Sequence, residues 1–118
     1  MNASARHSTL DDYARFMIAH LAGARGASGL VSSDSFLELH SPVAPNYALG
    51  WGVAYSLQTL NVPGLTHDGS TGRWFSLVVL APSLDTGFVI FTNGGGDRAR
   101  AAMEALYTQA RQRVMEAP

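Results

Sequence analysis

Two runs of aromatic and β-branched residues constrain the fold of this chain more than any other feature. Residues 74–80 and 88–92 are rich in the side chains that favour strands. The residues between these two runs include Asp85 and Gly87, which favour turns. The pattern therefore predicts two antiparallel strands joined as a hairpin, with a loop longer than a two-residue turn.

A long helix is predicted after this hairpin. Asn93 and the glycines that follow it break the second strand, and Asp97 is positioned to cap a helix. Apolar side chains then recur at the 3.6-residue spacing of an amphipathic helix: Ala99, Met103, Leu106, Ala110 and Val114. The arginines of this region are interpreted as a solvated helix face rather than as an anion site: Arg98, Arg100, Arg111 and Arg113.

Two further helices are predicted in the first third of the chain. Ser8 or Thr9 can cap the first helix, and Gly23 is expected to end it. Its apolar stripe has helical spacing: Leu10, Tyr13, Met17 and Leu21. The second helix is short; it follows Ser32 or Ser33 and ends before Pro42, because proline cannot continue the backbone hydrogen-bond pattern.

Residues 47–53 alternate large and small side chains, which predicts a strand with one buried face. The large side chains expected on that face are Tyr47, Leu49, Trp51 and Val53. Residues 55–65 can extend this strand before the chain turns back at residues 61–64. Both tryptophans, Trp51 and Trp74, are interpreted as core or cleft-lining side chains.

The order of these elements is helix, short helix, strand, loop, strand, strand and long helix. It predicts an α+β fold in which an antiparallel sheet of three to four strands is packed by the long C-terminal helix and the N-terminal helices. No change of composition marks a domain boundary, so residues 1–118 are treated as a single segment.

Composition excludes several classes of function. The net charge is −1 and every basic residue is arginine, without the basic stripe that nucleic-acid binding requires. The absence of cysteine excludes disulfides, thiolate zinc sites and cysteine nucleophiles. His7, His20 and His40 lack metal-ligand spacing and are interpreted as surface or helix-end residues, and no cofactor motif is present.

Neither a membrane-spanning segment nor a signal peptide is expected from the sequence. The apolar runs are far too short to span a bilayer, and residues 1–7 lack the apolar centre of a signal peptide. The sequence alone leaves the compartment open.

Several short motifs occur in an order that resembles a known enzyme family. Residues 47–51 read Tyr-Ala-Leu-Gly-Trp, residues 67–69 read His-Asp-Gly, and residues 80–87 and 89–93 belong to the loop and second strand of the predicted hairpin. This order is similar to the C-terminal part of the serine β-lactamase-like family, which includes class C β-lactamases, D-alanyl-D-alanine carboxypeptidases and related penicillin-binding-protein-type esterases. The resemblance implies a partial β-lactamase or transpeptidase fold and suggests a bacterial, extracytoplasmic setting.

The chain lacks two motifs that carry the chemistry of that family. It contains no lysine, so the Ser-x-x-Lys nucleophile is absent, and no tyrosine is followed by the asparagine of Tyr-x-Asn. The resemblance therefore implies the C-terminal portion of a serine hydrolase that is inactive alone. A small ester or amide substrate is expected only when another protein segment completes the site.

The resemblance also assigns roles to residues 67–71. His67 takes the place of the family's lysine, and the backbone N–H of Ser70 takes the place of an oxyanion donor, so these two are the candidate catalytic residues. Asp68, Gly69 and Thr71 are the candidate substrate-binding residues. A partly charged imidazole and a carboxylate at these positions favour a neutral ester or amide over an anionic substrate. The alternative interpretation is that residues 67–69 form a simple turn.

Two other functions stay open. The chain can be a non-catalytic interaction module that dimerises through an open sheet edge or complements a separate N-terminal half. It can also be an independent small binding domain that only echoes the family.

Overall fold

The computed structural model describes residues 7–27, 29–58 and 60–116. The signal-peptide prediction depends mainly on residues 1–6, which lie outside the described residues. Two helices come first, α1 (Leu10–Ala24) and α2 (Ser33–His40). They are followed by the strands β1 (Gly52–Ala54), β2 (Gly64–Ser70), β3 (Phe75–Ala81) and β4 (Thr86–Thr92), and by the helix α3 (Asp97–Glu116). The predicted α+β class is confirmed.

The four strands form one antiparallel sheet in the order β1-β2-β3-β4. β2 pairs with β3 along its length, from Leu65 opposite Leu80 to Ser70 opposite Phe75. β1 is much shorter and pairs only with residues 64–66 of β2. Consequently, within the described residues, the second half of β2 has a neighbouring strand on one side only.

Helices cover both faces of the sheet, because successive side chains of a strand point to opposite faces. On one face, Met17 and Leu21 of α1 pack against Val78 and Leu80 of β3. On the other face, α3 packs against the sheet through one cluster of buried side chains: Phe75, Ile90 and Met103. Val78 and Leu80 are the largest fully buried side chains, so the centre of the core is on β3.

The ends of the helices follow ordinary capping chemistry. The Oγ1 of Thr9 accepts a hydrogen bond of 3.0 Å from the backbone N–H of Asp12, as predicted for a cap at Ser8 or Thr9. The predicted stop at Gly23 is wrong, because α1 continues to Ala24 and the left-handed residue beyond it is Gly26, with φ 75°. Gly23 is instead buried against the ring of Phe36, where a side chain would not fit.

The predicted strand over residues 47–53 is also wrong for most of its length. The N–H of Ala48 donates to the carbonyl of Trp51 across 2.7 Å, and Gly50 in this tight turn has φ 84°. Ala48 and Trp51 are buried, whereas Tyr47 and Leu49 are nearly half exposed. Large side chains at alternate positions here reflect a turn, and the strand begins only at Gly52.

Three details of the C-terminal half differ from the predictions. Asp97 is the first residue of α3, and the carbonyl of Gly96 accepts the first helical hydrogen bond, from the N–H of Arg100. Leu106 is 52% exposed, and Tyr107 takes its expected place in the core. Trp74 is 59% exposed and is not a core residue.

In the part of the chain that the structure describes, no helix is long and apolar enough to cross a bilayer.

Candidate functional site

Residues 67–69 lie inside β2, so the interpretation of this motif as a simple turn is wrong. His67 pairs with Val78 and Gly69 pairs with Ser76 across the β2–β3 ladder. On the other side of β2, pairing with β1 ends at Gly52 opposite Thr66. Past Thr66, the β1-facing edge of β2 has no strand partner among the described residues.

The hydrogen-bond pattern fixes which backbone groups point to this free edge. The N–H of Thr71 donates to the carbonyl of Trp74 across 3.2 Å, towards the β3 side of the hairpin. Hydrogen-bonded and non-hydrogen-bonded pairs alternate along an antiparallel ladder. The N–H groups of Ser70 and Asp68 must therefore point away from β3.

The directions of the backbone hydrogen bonds of β1 agree with this assignment. The N–H of Val53 donates to the carbonyl of Asn46 across 2.9 Å, which is away from β2. Its neighbour Gly52 is therefore the residue whose backbone faces Thr66 of β2. Thr66, Asp68 and Ser70 thus face the same side, and Asp68 and Ser70 lie past the last residue that β1 pairs.

Side chains of the motif divide between the two faces of the sheet. His67 and Gly69 are on the α1 face, and Asp68 and Ser70 are on the α3 face, as their partners on β3 show. His67 and Ser70 therefore do not form a nucleophile–base pair. The Oγ of Ser70 instead accepts a hydrogen bond of 3.2 Å from the N–H of Gly72 in the following turn.

A groove of about 630 Å³ runs beside this part of β2. It includes two of the predicted site residues, His67 and Asp68, whereas Gly69, Ser70 and Thr71 lie outside its lining. Part of the lining is apolar and belongs to the core: Leu57, Leu77 and Val79. The polar part of the lining includes Thr66 and Asp68.

Arg111 of α3 also lines the groove and is only partly exposed, in contrast to the solvated position predicted for it. Its guanidinium lies 4.5 Å from the ring centre of Tyr107. Its Nη1 donates to the carbonyl of Gln58 across 3.2 Å, and its Nη2 donates to the Oγ1 of Thr108 across 3.1 Å. Burial raises the pKa of Tyr107, and the charge of Arg111 opposes that rise.

Two histidines that were interpreted as surface or helix-end residues form a partly buried pair. The Nδ1 of His20 lies 2.8 Å from the Nε2 of His40, and His20 is only 6% exposed. The rings of Phe16, Phe36 and Trp51 surround His20 at 4.5–5.3 Å between centroids. Burial, with a smaller effect of His40, lowers the pKa of His20 to about 4, and burial lowers the pKa of His40 as well.

The interpretation of His20 as a surface residue is therefore wrong, whereas His40 does lie at the end of α2. Among the residues that the structure describes, no three histidine, aspartate or glutamate side chains come together as a metal site.

Comparisons of the chain with protein-family models, with curated proteins and with solved structures gave no match.

Proposed function

We propose that this chain forms one side of the substrate-binding site of a serine hydrolase of the β-lactamase-like family. The observation that supports the proposal best is the backbone N–H of Ser70, which points to the unpaired edge of β2. A fixed N–H on an open strand edge can stabilise the oxyanion that forms when an acyl carbon is attacked. The attacking hydroxyl and its base would come from another stretch of protein.

The same edge suits an acyl substrate in an extended conformation. The backbone of Asp68 faces the free side two residues before Ser70, so its N–H and C=O can pair with a strand-like substrate. Gly69 between them lets the substrate approach the backbone closely. A substrate that pairs with this edge of β2 would have its scissile carbonyl beside the Ser70 N–H.

The side chains around this edge favour a substrate without net charge. Asp68 is exposed and carries a carboxylate that repels an anion. His67 is exposed on the opposite face of β2, which makes it an anchor for the far side of a substrate rather than a base for Ser70. A neutral ester or amide is therefore the substrate class that we propose.

A proline substitution tests the role of the Ser70 N–H. Ser70→Pro removes the N–H, which does not bond to β3, whereas Ser70→Ala keeps it. The chain is mixed with the polypeptide encoded directly upstream, and hydrolysis of p-nitrophenyl acetate is measured. We expect activity only in the mixture, unchanged by Ser70→Ala and reduced about 100- to 1,000-fold by Ser70→Pro. Full activity of the chain alone, or of the Ser70→Pro mixture, would contradict the proposal.

A second candidate function is an interaction module that pairs through β4. β4 is the outer strand of the described sheet, and its Phe91 is partly exposed. Arg100 and Arg111 of α3 contact Phe75 and Gln58, so this flank of α3 faces the inner strands. The exposed Leu106 lies on the opposite flank of α3.

Light scattering during size-exclusion chromatography tests this second candidate. A dimer that Phe91→Lys dissociates and Trp74→Lys preserves would favour pairing through β4, because a charge on an edge strand blocks strand addition. Trp74 is the control because it is also an exposed aromatic residue, at 59% against 36% for Phe91, but does not belong to β4. A monomer at all concentrations would exclude self-pairing.

A further inference from the structure

We propose that the groove between β2 and the C-terminal half of α3 binds a small zwitterion, namely an α-amino acid with an apolar side chain. Its carboxylate would bind Arg111, its ammonium would bind Asp68, and its side chain would pack on the apolar part of the groove. The inference concerns binding alone, so it does not depend on the acyl chemistry proposed above.

Arg111 has the features of an anion anchor that is held in place before the anion arrives. The Tyr107 ring, the Gln58 carbonyl and the Thr108 hydroxyl fix the position of its guanidinium. Fixing the side chain in advance lowers the entropy lost when a ligand binds. Only two of its five N–H groups are used in these bonds, and its buried Nε has no partner in the described structure.

No carboxylate of the described chain neutralises Arg111. Among the described residues, the ion pairs join Arg15 to Asp12 and Arg25 to Asp85, away from the groove, and neither involves Arg111. A half-buried guanidinium without a counter-ion favours an incoming anion more than a fully solvated one does. A carboxylate suits this role, because its two oxygens match the planar guanidinium.

Asp68 makes a simple anion a poor ligand for the same groove. Its carboxylate lines the groove but does not form an ion pair with Arg111, so the two opposite charges remain apart. A ligand with only a negative charge would be repelled by Asp68, and one with only a positive charge would be repelled by Arg111. A zwitterion satisfies both side chains.

The remaining lining determines the third part of the ligand. The apolar surface of the groove comes mainly from the partly buried Leu77, with small exposed parts of Leu57 and Val79 beside it. An apolar side chain placed on this surface leaves water and contributes to binding in proportion to the area buried. Leucine therefore represents the proposed class better than glycine or a charged amino acid.

Isothermal titration with three matched probes tests the inference on the full chain. Leucine carries both charges, N-acetyl-leucine lacks the ammonium, and leucinamide lacks the carboxylate. We expect leucine to bind at least about tenfold more tightly than either analogue, since each charged hydrogen bond is lost in one of them. Absence of leucine binding at concentrations up to about 50 mM, or equal binding of all three probes, would overturn the proposal.

Variants assign the two charges to the two residues. Arg111→Gln should make leucine and leucinamide bind equally, and Asp68→Asn should make leucine and N-acetyl-leucine bind equally. Arg113→Gln is the matched control, because Arg113 is an exposed arginine on the same helix. Arg111→Lys keeps the positive charge but lacks the planar guanidinium, so it should retain part of the preference for leucine over leucinamide. A partial preference in this variant would show that the effect of Arg111→Gln comes from the lost charge and not from unfolding. A preference for leucine that survives Arg111→Gln would contradict the assignment.

Discussion

The buried histidine pair predicts that this protein loses stability as the pH falls below neutrality. His20 is enclosed by three aromatic rings and bonded to His40, and burial there disfavours the charged imidazole. The pKa of His20 is about 4 in the folded protein, against 6.5 for an ordinary histidine. The unfolded chain therefore takes up a proton at a higher pH than the folded chain does.

The sign and size of the effect follow from this difference in pKa. Well above pH 6.5 both states hold a neutral His20, and its contribution to stability is complete. As the pH falls from 6.5 to about 4, the free energy of unfolding decreases by about 1.4 kcal/mol for each pH unit, or roughly 3 kcal/mol in all. His40 adds to the loss in the same direction, because its pKa is also lowered.

Urea unfolding followed by circular dichroism at pH 7.5, 6.5, 5.5 and 4.5 measures this loss. His20→Phe keeps an aromatic ring in the cluster but cannot be protonated, so its stability should fall much less over the same range. His67→Gln is the control, because His67 is exposed, and it should behave as the natural sequence does. Equal pH dependence in the natural chain and in His20→Phe would refute the reasoning.

Three substitutions test the packing and capping described above, each by urea unfolding at pH 7.5. Leu80→Ala removes a fully buried side chain from the middle strand and should lower the free energy of unfolding by about 2–5 kcal/mol; a loss below 1 kcal/mol would contradict its central position. Thr9→Ala removes the cap of α1 and should cost about 1 kcal/mol, whereas Ser8→Ala should cost little. Gly23→Ala places a methyl group against Phe36 and should cost about 1–3 kcal/mol, although alanine normally favours a helix; a stabilised variant would show that α1 and α2 pack differently.

The regular elements were predictable because their local patterns agree with their surroundings. Hydroxyl caps at Thr9 and Ser32, the aromatic and β-branched strands, and the spacing of α3 each identify an element without tertiary information. The alternation at residues 47–51 misled because Gly50 adopts a left-handed conformation that reverses the chain. Only the three-dimensional structure distinguishes that turn from a strand with one buried face.

The candidate site was only partly predictable, for the same reason. His67 and Asp68 could be selected as candidates because the motif that suggests a role for them is a short run of neighbouring residues. Arg111 was not predicted to line the groove, because the groove brings together segments that are distant in the sequence, and an arginine on an amphipathic helix is usually solvated. His20 was missed because its partner His40 is on another helix, and no spacing in the sequence indicates that the two meet.

Hydrogen exchange of the backbone amides, followed residue by residue by NMR, tests the arrangement of β2 most directly. The account predicts that the amides of Asp68 and Ser70 exchange rapidly, because they point to an edge without a strand partner. The amides of His67 and Gly69, which bond to β3, should be protected like the rest of the ladder. Strong protection of the amides of Asp68 and Ser70 would show that this edge of β2 is already paired. The strand would then have no free edge for a substrate, and the proposed function would be wrong.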